Sequence, residues 1–371
     1  MTLAESLGYG QGGWRQGAAS ARHGTVRWDI LDPSLSPVGS FTPTVGAQIR
    51  VDQDGNVRRR LSNLTIPSAD MDPARTRIRP VWVDGDTETN LGVYRIASAE
   101  IAGRHSQTYR GLAPVDVTAA DESVRLLAHT SRSIGFKRGA SLQAMAETLA
   151  GHLAIPEHRI DSTTEELGEP MSWALGETTW QEVCDKVAAA CGTLPPWFDR
   201  DGTWRWTVAP VVETQPPDWR YSMSNGGVIL GGLERSVTLL DEPNVWYAIN
   251  PQAKGAPIVG RHALGEHWPN SVGNIGYEQP ERVEAAGLRS QAAANNAARA
   301  AAVQHVSDVG SASLTVPFDP AHDLYETCEV DGYLYQITGW SHDVEATTMT
   351  LDLNRIYRAS DATGAYLSGA L

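Results

Sequence analysis

Residues 77–96, RIRPVWVDGDTETNLGVYRI, place two runs of β-branched and aromatic residues on either side of the dipeptide Asp84-Gly85. An Asp-Gly pair between such runs is a strong local signal for a β-hairpin, because glycine readily adopts the positive φ that tight turns require. Side chains alternate along both runs, but neither run has one wholly apolar face. This pattern predicts antiparallel strands of a barrel or a sandwich.

The same pattern of strand-forming runs separated by turn signals extends through most of the chain. Asp-Gly turn signals also begin at Asp54, Asp201 and Asp331, each between strand-forming runs. Further predicted strands are VRWDIL (26–31), NVWYAI (244–249), SLTVPF (313–318), LYETCEV (324–330), YLYQITGWSHDV (333–344) and TTMTLDLNRIY (347–357). With 35 Gly, 21 Pro and 41% hydrophobic residues, the composition indicates a globular, strand-rich protein and excludes a disordered chain or a helical bundle.

Three segments show helical spacing of their apolar residues. One follows Ser141, and a second runs from Thr179 to Cys191, where Thr179 and Glu182 have the spacing of a capping box. The third, residues 280–306, is dominated by alanine in its middle, so we expect its neighbours to approach closely. The stretch ESVRLLAHTS (122–131) is compatible with a strand or a helical turn.

The order of elements predicts two related β-rich lobes separated by a helix-plus-hairpin unit. Residues 1–24 lack a sustained period and are expected to form a flexible arm that orders on a partner. Connections between subdomains are predicted near 215–230, and the irregular stretch 260–280 is long enough to suggest contact with a partner. The predicted units are residues 1–24 (arm), 25–135 (first β domain), 136–230 (α/β subdomain), 231–358 (second β domain) and 359–371 (C-terminal tail).

The charge and the termini exclude several classes of protein. The 371 residues carry 30 Lys and Arg against 44 Asp and Glu, a net charge of −14, which disfavours attraction to nucleic acid or to an anionic membrane. No apolar run is long enough to span a bilayer and no signal sequence precedes the first strand, so we expect folding in a cytosol. Twelve Trp against four Phe favour interaction surfaces as well as cores.

No constellation of residues predicts a metal or nucleotide site. The acidic stretches 52–56 and 84–88 resemble the start of a calcium loop but lack its bidentate Glu, and Asp-Gly turns explain them, as they explain Asp199 and Asp201. His262 and His267 are five residues apart, unlike the pair of a zinc helix. The glycines of GYGQGG (8–13) have no strand before them, so they do not indicate a phosphate-binding loop.

Three further sets of residues have a chemical and a structural interpretation. Glu165, Glu166 and Glu169 are candidates for the paired carboxylates of a cell-wall hydrolase, although a solvated acidic loop explains them more simply. The aromatic side chains of Trp197, Trp204 and Trp206 are able to stack on sugars, but tryptophans of a hairpin more often pack against their own helix, here at Trp180. Cys184, Cys191 and Cys328 form no disulfide or zinc pattern, and the first two fit the apolar face of a helix.

The succession of features resembles one protein family. The resemblance rests on RWDILD (27–32) followed by an arginine-containing hairpin and residues 77–96, on the capped helix TTWQEVCDKVAAACG (178–192) running into PPWFDRDGTWRW (195–206), and on the closing strands (333–357). These features are similar to the minor tail proteins, or tail hub proteins, of long-tailed actinobacterial bacteriophages, which are related in design to the baseplate hub of contractile tails. The resemblance covers most of residues 25–357.

The resemblance implies an α+β, mainly β fold with two β-barrel-like domains, short inserted helices and one longer Ala-rich helix. It implies a structural virion protein at the tail tip that assembles as a ring, commonly a trimer, between the tail tube and the tip. The implied partners are further copies of the chain, the tail tube protein, the distal tail and other tip proteins, and the tape measure protein. Enzymatic members carry an additional peptidase or lysozyme domain, so we expect no activity and assign no catalytic, cofactor-binding or metal-ligating residue.

Overall fold

A computed structural model describes residues 15–16, 24–43, 46–53, 57–67, 72, 74–101, 114–163, 165–209, 216–222, 229–230, 233–237, 242–250, 258–285, 288, 290–305 and 310–358. The strands of these residues, numbered β1 to β23 in chain order, are Arg15–Gln16, Thr25–Leu31, Pro37–Phe41, Gln48–Asp52, Arg59–Pro67, Arg77–Asp84, Thr87–Asn90, Tyr94–Ile101, Pro114–Ala120, Ile134–Phe136, His158–Ile160, Met171–Trp173, Trp197–Phe198, Trp204–Trp206, Trp219–Tyr221, Glu234–Val237, Val245–Ile249, Val259–Ala263, Pro280–Glu284, Gly310–Pro317, Thr327–Val330, Tyr333–Asp343 and Thr348–Ile356. The α-helices, α1 to α4, are Leu142–Leu153, Trp180–Cys191, Val272–Ile275 and Gln291–His305, and a 3₁₀ turn spans Glu122–Arg125. The predicted mainly-β class is confirmed.

One large, mostly antiparallel sheet joins two β-rich parts of the chain, the first β lobe (β2 to β9) and the second β lobe (β20 to β23). Its strands follow the order β1-β15-β21-β22-β4-β5-β9-β8-β6-β2-β3, with β7 beside β6 and with β23, β20 and β16 extending from β22. Strand β22 makes the connection: its first half pairs with β21, and its second half pairs with β4, where Trp340 lies opposite Val51. Within the described residues the pairings close no circle of strands, so two barrel-like domains stay a prediction.

The predicted hairpins form where Asp-Gly signals lie among the described residues. Gly85 and Gly202 have positive φ in the turns between β6 and β7 and between β13 and β14. Asp331 and Gly332 have φ of 47° and 88°, so both central residues of the β21–β22 turn are left-handed, as in a type I′ turn. Residues 54–56 lie outside the described part, although β4 and β5 on either side of them pair antiparallel as predicted.

The helix-plus-hairpin unit also follows the sequence signals. Helix α2 begins after Thr179, whose hydroxyl accepts a hydrogen bond from the Glu182 amide, and ends at Gly192 in the left-handed conformation. The Glu182 carboxylate accepts from the hydroxyl of Thr178. Helices α1 and α2 bury their apolar faces together with β10, β12 and β14 in a core of their own.

The Ala-rich helix is shorter than its sequence pattern predicts. It spans Gln291–His305, whereas Pro280–Glu284 form β19, an edge strand parallel to β17. Pro280 cannot donate a backbone hydrogen bond, and the side chains that follow it alternate between exposed and half-buried, which suits an edge strand. The prediction of a helix from 280 was therefore wrong for its first part, while the expected close packing is confirmed below for Gly260.

Two further stretches discussed in the sequence analysis lie around these elements. The stretch 122–131, for which the sequence allowed a strand or a helical turn, forms the 3₁₀ turn and one isolated bridge, His129 with Thr179. Within 260–280, the rings of Trp268 and Tyr357 lie 5.1 Å apart in the core beside α4, and the amide of Asn244 donates to the carbonyl oxygen of Asn270 at 2.9 Å. This stretch therefore packs in part on its own chain, and the expected contact with a partner stays a prediction.

The predicted arm and tail lie almost entirely outside the described residues. Of residues 1–24, Arg15–Gln16 form β1, which pairs in parallel with β15 at one end of the large sheet. The tail from 359 onward is not among the described residues. Strand β15, within the stretch predicted to connect subdomains, pairs in parallel with β21.

Candidate functional site

A buried arginine connects three separate parts of the chain. Arg59 of β5 has no exposed side-chain area and donates to the carboxylate of Asp323, in the segment between β20 and β21. Its Nε donates to the carbonyl oxygen of Phe198 in β13 at 3.2 Å, and its backbone amide donates to Asp121 Oδ2 at 3.0 Å. One residue therefore holds together the first β lobe, the helix-plus-hairpin unit and the second lobe.

The charges at this junction oppose the cost of their burial. Burial works against the guanidinium of Arg59, but the carboxylates of Asp323, Asp121 and Asp199 outweigh it and raise its pKa. Burial raises the pKa of Asp121 and Asp199, although hydrogen bonds or the nearby arginines favour their charged forms. Removing one partner of a buried ion pair leaves the other charge buried without compensation, which lowers the stability of the fold. We therefore expect the stability of this junction to depend on the arginine and on its carboxylate partners together.

A second cluster ties the first β lobe to helix α1. The carboxylate of Glu122 accepts hydrogen bonds from Arg77 of β6 and from Arg125, and Arg95 Nη2 lies 3.4 Å from its Oε2. Arg125 also donates to the carbonyl oxygen of Leu153 at 3.0 Å, at the carboxyl end of α1. This arginine therefore binds a carboxylate of one unit and the negative end of a helix dipole in the next.

An aromatic stack crosses between the lobes beside β22. Phe318 lies edge-on to Trp82 of β6, with ring centroids 4.8 Å apart, and is stacked on His342 of β22 at 3.6 Å and 9°. His342 Nδ1 donates to the carbonyl oxygen of Thr348 at 3.0 Å, while its Nε2 is buried without a hydrogen-bond partner. Burial lowers the pKa of His342 to about 4, so the ring is neutral near pH 7.

The tryptophans considered for sugar binding are core residues. Trp204 and Trp206 are fully buried, lie edge to face with ring centroids 5.2 Å apart, and share a core with Trp180. Trp197 is also buried and packs edge-on against Tyr325. Packing against their own helix is confirmed for the first two, and all three lack an exposed ring face for a sugar.

The three glutamates considered for hydrolysis lie on a half-buried segment, and the contacts of Glu165 are structural. Glu165 Oε2 accepts from the hydroxyl of Ser290 at 3.2 Å, and that hydroxyl accepts from the Ala293 amide at 2.9 Å, in the first turn of α4. Glu166 pairs through its backbone with Ser141, the residue before α1. Glu165 thus joins the segment to the start of the Ala-rich helix.

The remaining candidates have local roles. Asp199 accepts from the amides of Asp201 and Thr203 and from Arg205 Nε, so it organises the β13–β14 turn, while Asp201 accepts from Asn90 of β7. The three cysteines are buried and free. Within the described residues no three His, Cys, Asp or Glu side chains are grouped as metal ligands. No helix in the same residues is long and apolar enough to cross a membrane.

Sequence reasoning did not find the residues of the arginine junctions. The partners of Arg59 lie 62, 139 and 264 positions away along the chain, so local spacing does not reveal them. One signal was present: in the run 58–60 of three arginines on a predicted strand, the middle side chain must point to the opposite face from its neighbours. Arg59 is buried and Arg60 is exposed, as this alternation requires, whereas Arg58, which precedes β5, is buried too.

Solved structures of three tail proteins, two of them from prophages, share this fold over most of their length. The tail protein from Neisseria meningitidis MC58 matches with a TM-score of 0.60 and 13% identity, over 89% of this chain and 96% of that chain. The 43 kDa tail protein of prophage MuSo2 from Shewanella oneidensis matches with 0.58 and 10%, over 89% and 98%. Prophage tail protein gp18 from Listeria monocytogenes EGD-e matches with 0.51 and 11%, over 88% and 94%. No family model and no curated protein matches the sequence.

Proposed function

We propose that this protein is a structural subunit of a phage tail, a tail hub whose copies form a ring between the tail tube and the tail tip. The observation that supports it is the extent of the shared fold, which includes nearly the whole of each of three tail proteins. The shared feature is therefore the entire architecture, not one widespread module. The resemblance of residues 25–357 to tail hub proteins, in the order of their predicted strands, turns and helices, supports the more specific assignment as a tail hub.

The buried junctions suit a load-bearing ring subunit. Arg59 and Glu122 each connect separate parts of the chain, and paired buried charges favour one relative geometry of the parts that they join. In this proposal the two β lobes form barrel-like domains, so that three copies present six similar surfaces to the tail tube. The net charge of −14 favours a channel wall that does not retain DNA.

The proposed partners follow from the position in the tail. Copies of the chain form a trimer, which contacts the tail tube protein on one side and the distal tail and other tip proteins on the other. The channel lets DNA or the tape measure protein pass, and the protein is located in the virion after assembly in the host cytoplasm. We propose no enzymatic activity and no cofactor.

Light scattering coupled to size-exclusion chromatography tests the ring. We expect a mass of about three times 40.1 kDa that persists on dilution, and ring-shaped particles by negative-stain electron microscopy. A strict monomer that also fails to bind the tail tube protein encoded by the same phage would contradict the proposal. Release of fragments from labelled peptidoglycan, lost on Glu165→Gln, would favour the hydrolase hypothesis instead.

A further inference from the structure

Strand β3 is an exposed end of the large sheet. It pairs with β2 along one edge, and its other edge has no strand beside it among the described residues. Pro37, Val38, Gly39 and Ser40 are all exposed, and 64% of Val38 is open to solvent. An edge with free backbone amides and carbonyls on which both faces are exposed is a template for a further strand.

This edge lacks the charges that protect the other ends of the sheet. In sequence, the end strands β1, β7 and β16 contain Arg15, Glu88 and Glu234, whereas β3 contains no charged residue. It lies within residues 33–49, the longest stretch of the chain without Asp, Glu, Lys or Arg. Charged side chains on an edge oppose pairing with another chain, and β3, which begins with Pro37, lacks this form of protection.

The first residues of the chain have the length and composition to occupy such an edge. Residues 1–14 contain a single charged side chain, Glu5, together with Leu3, Leu7 and Tyr9. They precede β1, which lies at the opposite end of the strand order from β3. Fully extended, these residues reach roughly 50 Å. Because each copy carries a net charge of −14, contacts between copies are least unfavourable where both surfaces are uncharged.

We infer that the segment before Arg15 of one copy adds to the edge of β3 of the next copy, in the manner of β-strand addition. The donor segment and the acceptor edge are different surfaces of the chain, so a contact passed from each copy to the next is head-to-tail, which is the type that generates rings. This inference rests on the proposed ring and assigns its contact.

Cross-linking between two variants tests the contact directly. Ser6→Cys and Val38→Cys are purified separately, mixed and oxidised, and we expect a disulfide-linked dimer on a non-reducing gel. Leu230→Cys is the matched control for Val38→Cys, because Leu230 is 62% exposed and not on β3. The native thiols do not compete, because all three are buried. Equal cross-linking of Ser6→Cys to both positions overturns the inference.

Light scattering separates the contact from the ring itself. We expect both deletion of residues 1–14 and Val38→Lys to reduce the oligomer to monomer, with Leu230→Lys unchanged. A ring that survives both changes overturns the contact while leaving the proposed function intact. If Val38→Lys abolishes the ring but the deletion of residues 1–14 does not, another segment occupies the edge of β3. If the double variant Ser6→Cys/Val38→Cys forms an internal disulfide as a monomer, the segment binds its own copy. Either result overturns the inference.

Discussion

The guanidinium of Arg59 donates to the carboxylate of Asp323, 264 positions further along the chain, and both side chains are buried. Because the partners belong to different β lobes, removing one should affect the whole molecule. We expect Arg59→Met to lower the free energy of unfolding by about 3 to 5 kcal/mol, since it leaves the carboxylate of Asp323 buried without its partner. Urea unfolding followed by tryptophan fluorescence measures this change.

The matched control lies one position along the same strand. Arg60 is exposed, so Arg60→Met should change the free energy of unfolding by less than about 0.5 kcal/mol. The interpretation also predicts that Arg59→Met with Asp323→Leu recovers much of the loss, because both buried charges are then gone. Equal effects of the two single arginine substitutions would show that the junction contributes little.

The stack of Phe318 on His342 predicts a sensitivity to acid. Burial lowers the pKa of His342 from 6.5 to about 4, so the unfolded chain takes up a proton below pH 6.5 that the folded chain does not accept until about pH 4. The contribution of the neutral His342 ring to the free energy of unfolding is therefore complete above pH 6.5. It falls by up to about 3 kcal/mol as the pH is lowered from 6.5 to 4. The loss should loosen β22 where it pairs with β4.

Unfolding curves of the wild type and of His342→Gln between pH 7 and pH 4 test this sensitivity. Burial raises the pKa of the Asp161 and Asp352 carboxyls, so these groups make the folded state more stable as the pH falls, opposite to His342. The informative quantity is therefore the difference in the free energy of unfolding between the wild type and His342→Gln. Glutamine retains a donor for the carbonyl oxygen of Thr348 and does not titrate. We expect the wild type to lose its advantage as the pH falls. A difference that is constant with pH would contradict the assignment.

Local sequence signals predicted the local structure, and long-range pairs escaped them. Thr179 and Gly192 fix both ends of α2 through hydrogen bonds within a few residues, so the sequence reveals them. Pro280–Glu284 was mistaken for helix because its partner, β17, lies about 35 positions earlier. Charged residues are normally exposed, so burial of Arg59 and Arg77 depends on carboxylates that only the folded chain brings near.

Close packing of the Ala-rich helix predicts a strong effect at one glycine. A Cβ atom at Gly260 of β18 would overlap the carbonyl of Ala294 in α4 and lie 2.7 Å from the amide nitrogen of Asn295. Gly260→Ala must therefore push helix and strand apart, and we expect a loss of about 1 to 3 kcal/mol in the free energy of unfolding.

Gly151 provides the contrasting substitution. It lies within α1, and a Cβ there would meet no atom within 4 Å, so Gly151→Ala should stabilise the protein by about 0.5 to 1 kcal/mol. Thermal unfolding of both variants measures the two effects with opposite signs. A neutral Gly260→Ala would show that α4 does not pack tightly against β18.

The thiols of Cys184, Cys191 and Cys328 should report on unfolding of different cores. Cys184 and Cys191 lie in the core of the helix-plus-hairpin unit and Cys328 in the core of the large sheet. Burial raises the pKa of all three, that of Cys191 to about 12, so the reactive thiolate is scarce as well as inaccessible. We expect no reaction with Ellman's reagent at pH 8 until urea unfolds the chain.

Because Arg59 ties the two cores together, mass spectrometry of partly labelled protein should show Cys191 and Cys328 reacting together in the wild type. In Arg59→Met we expect Cys191 to react at a lower urea concentration than Cys328, and simultaneous labelling in both proteins would show that the cores stay coupled without this junction.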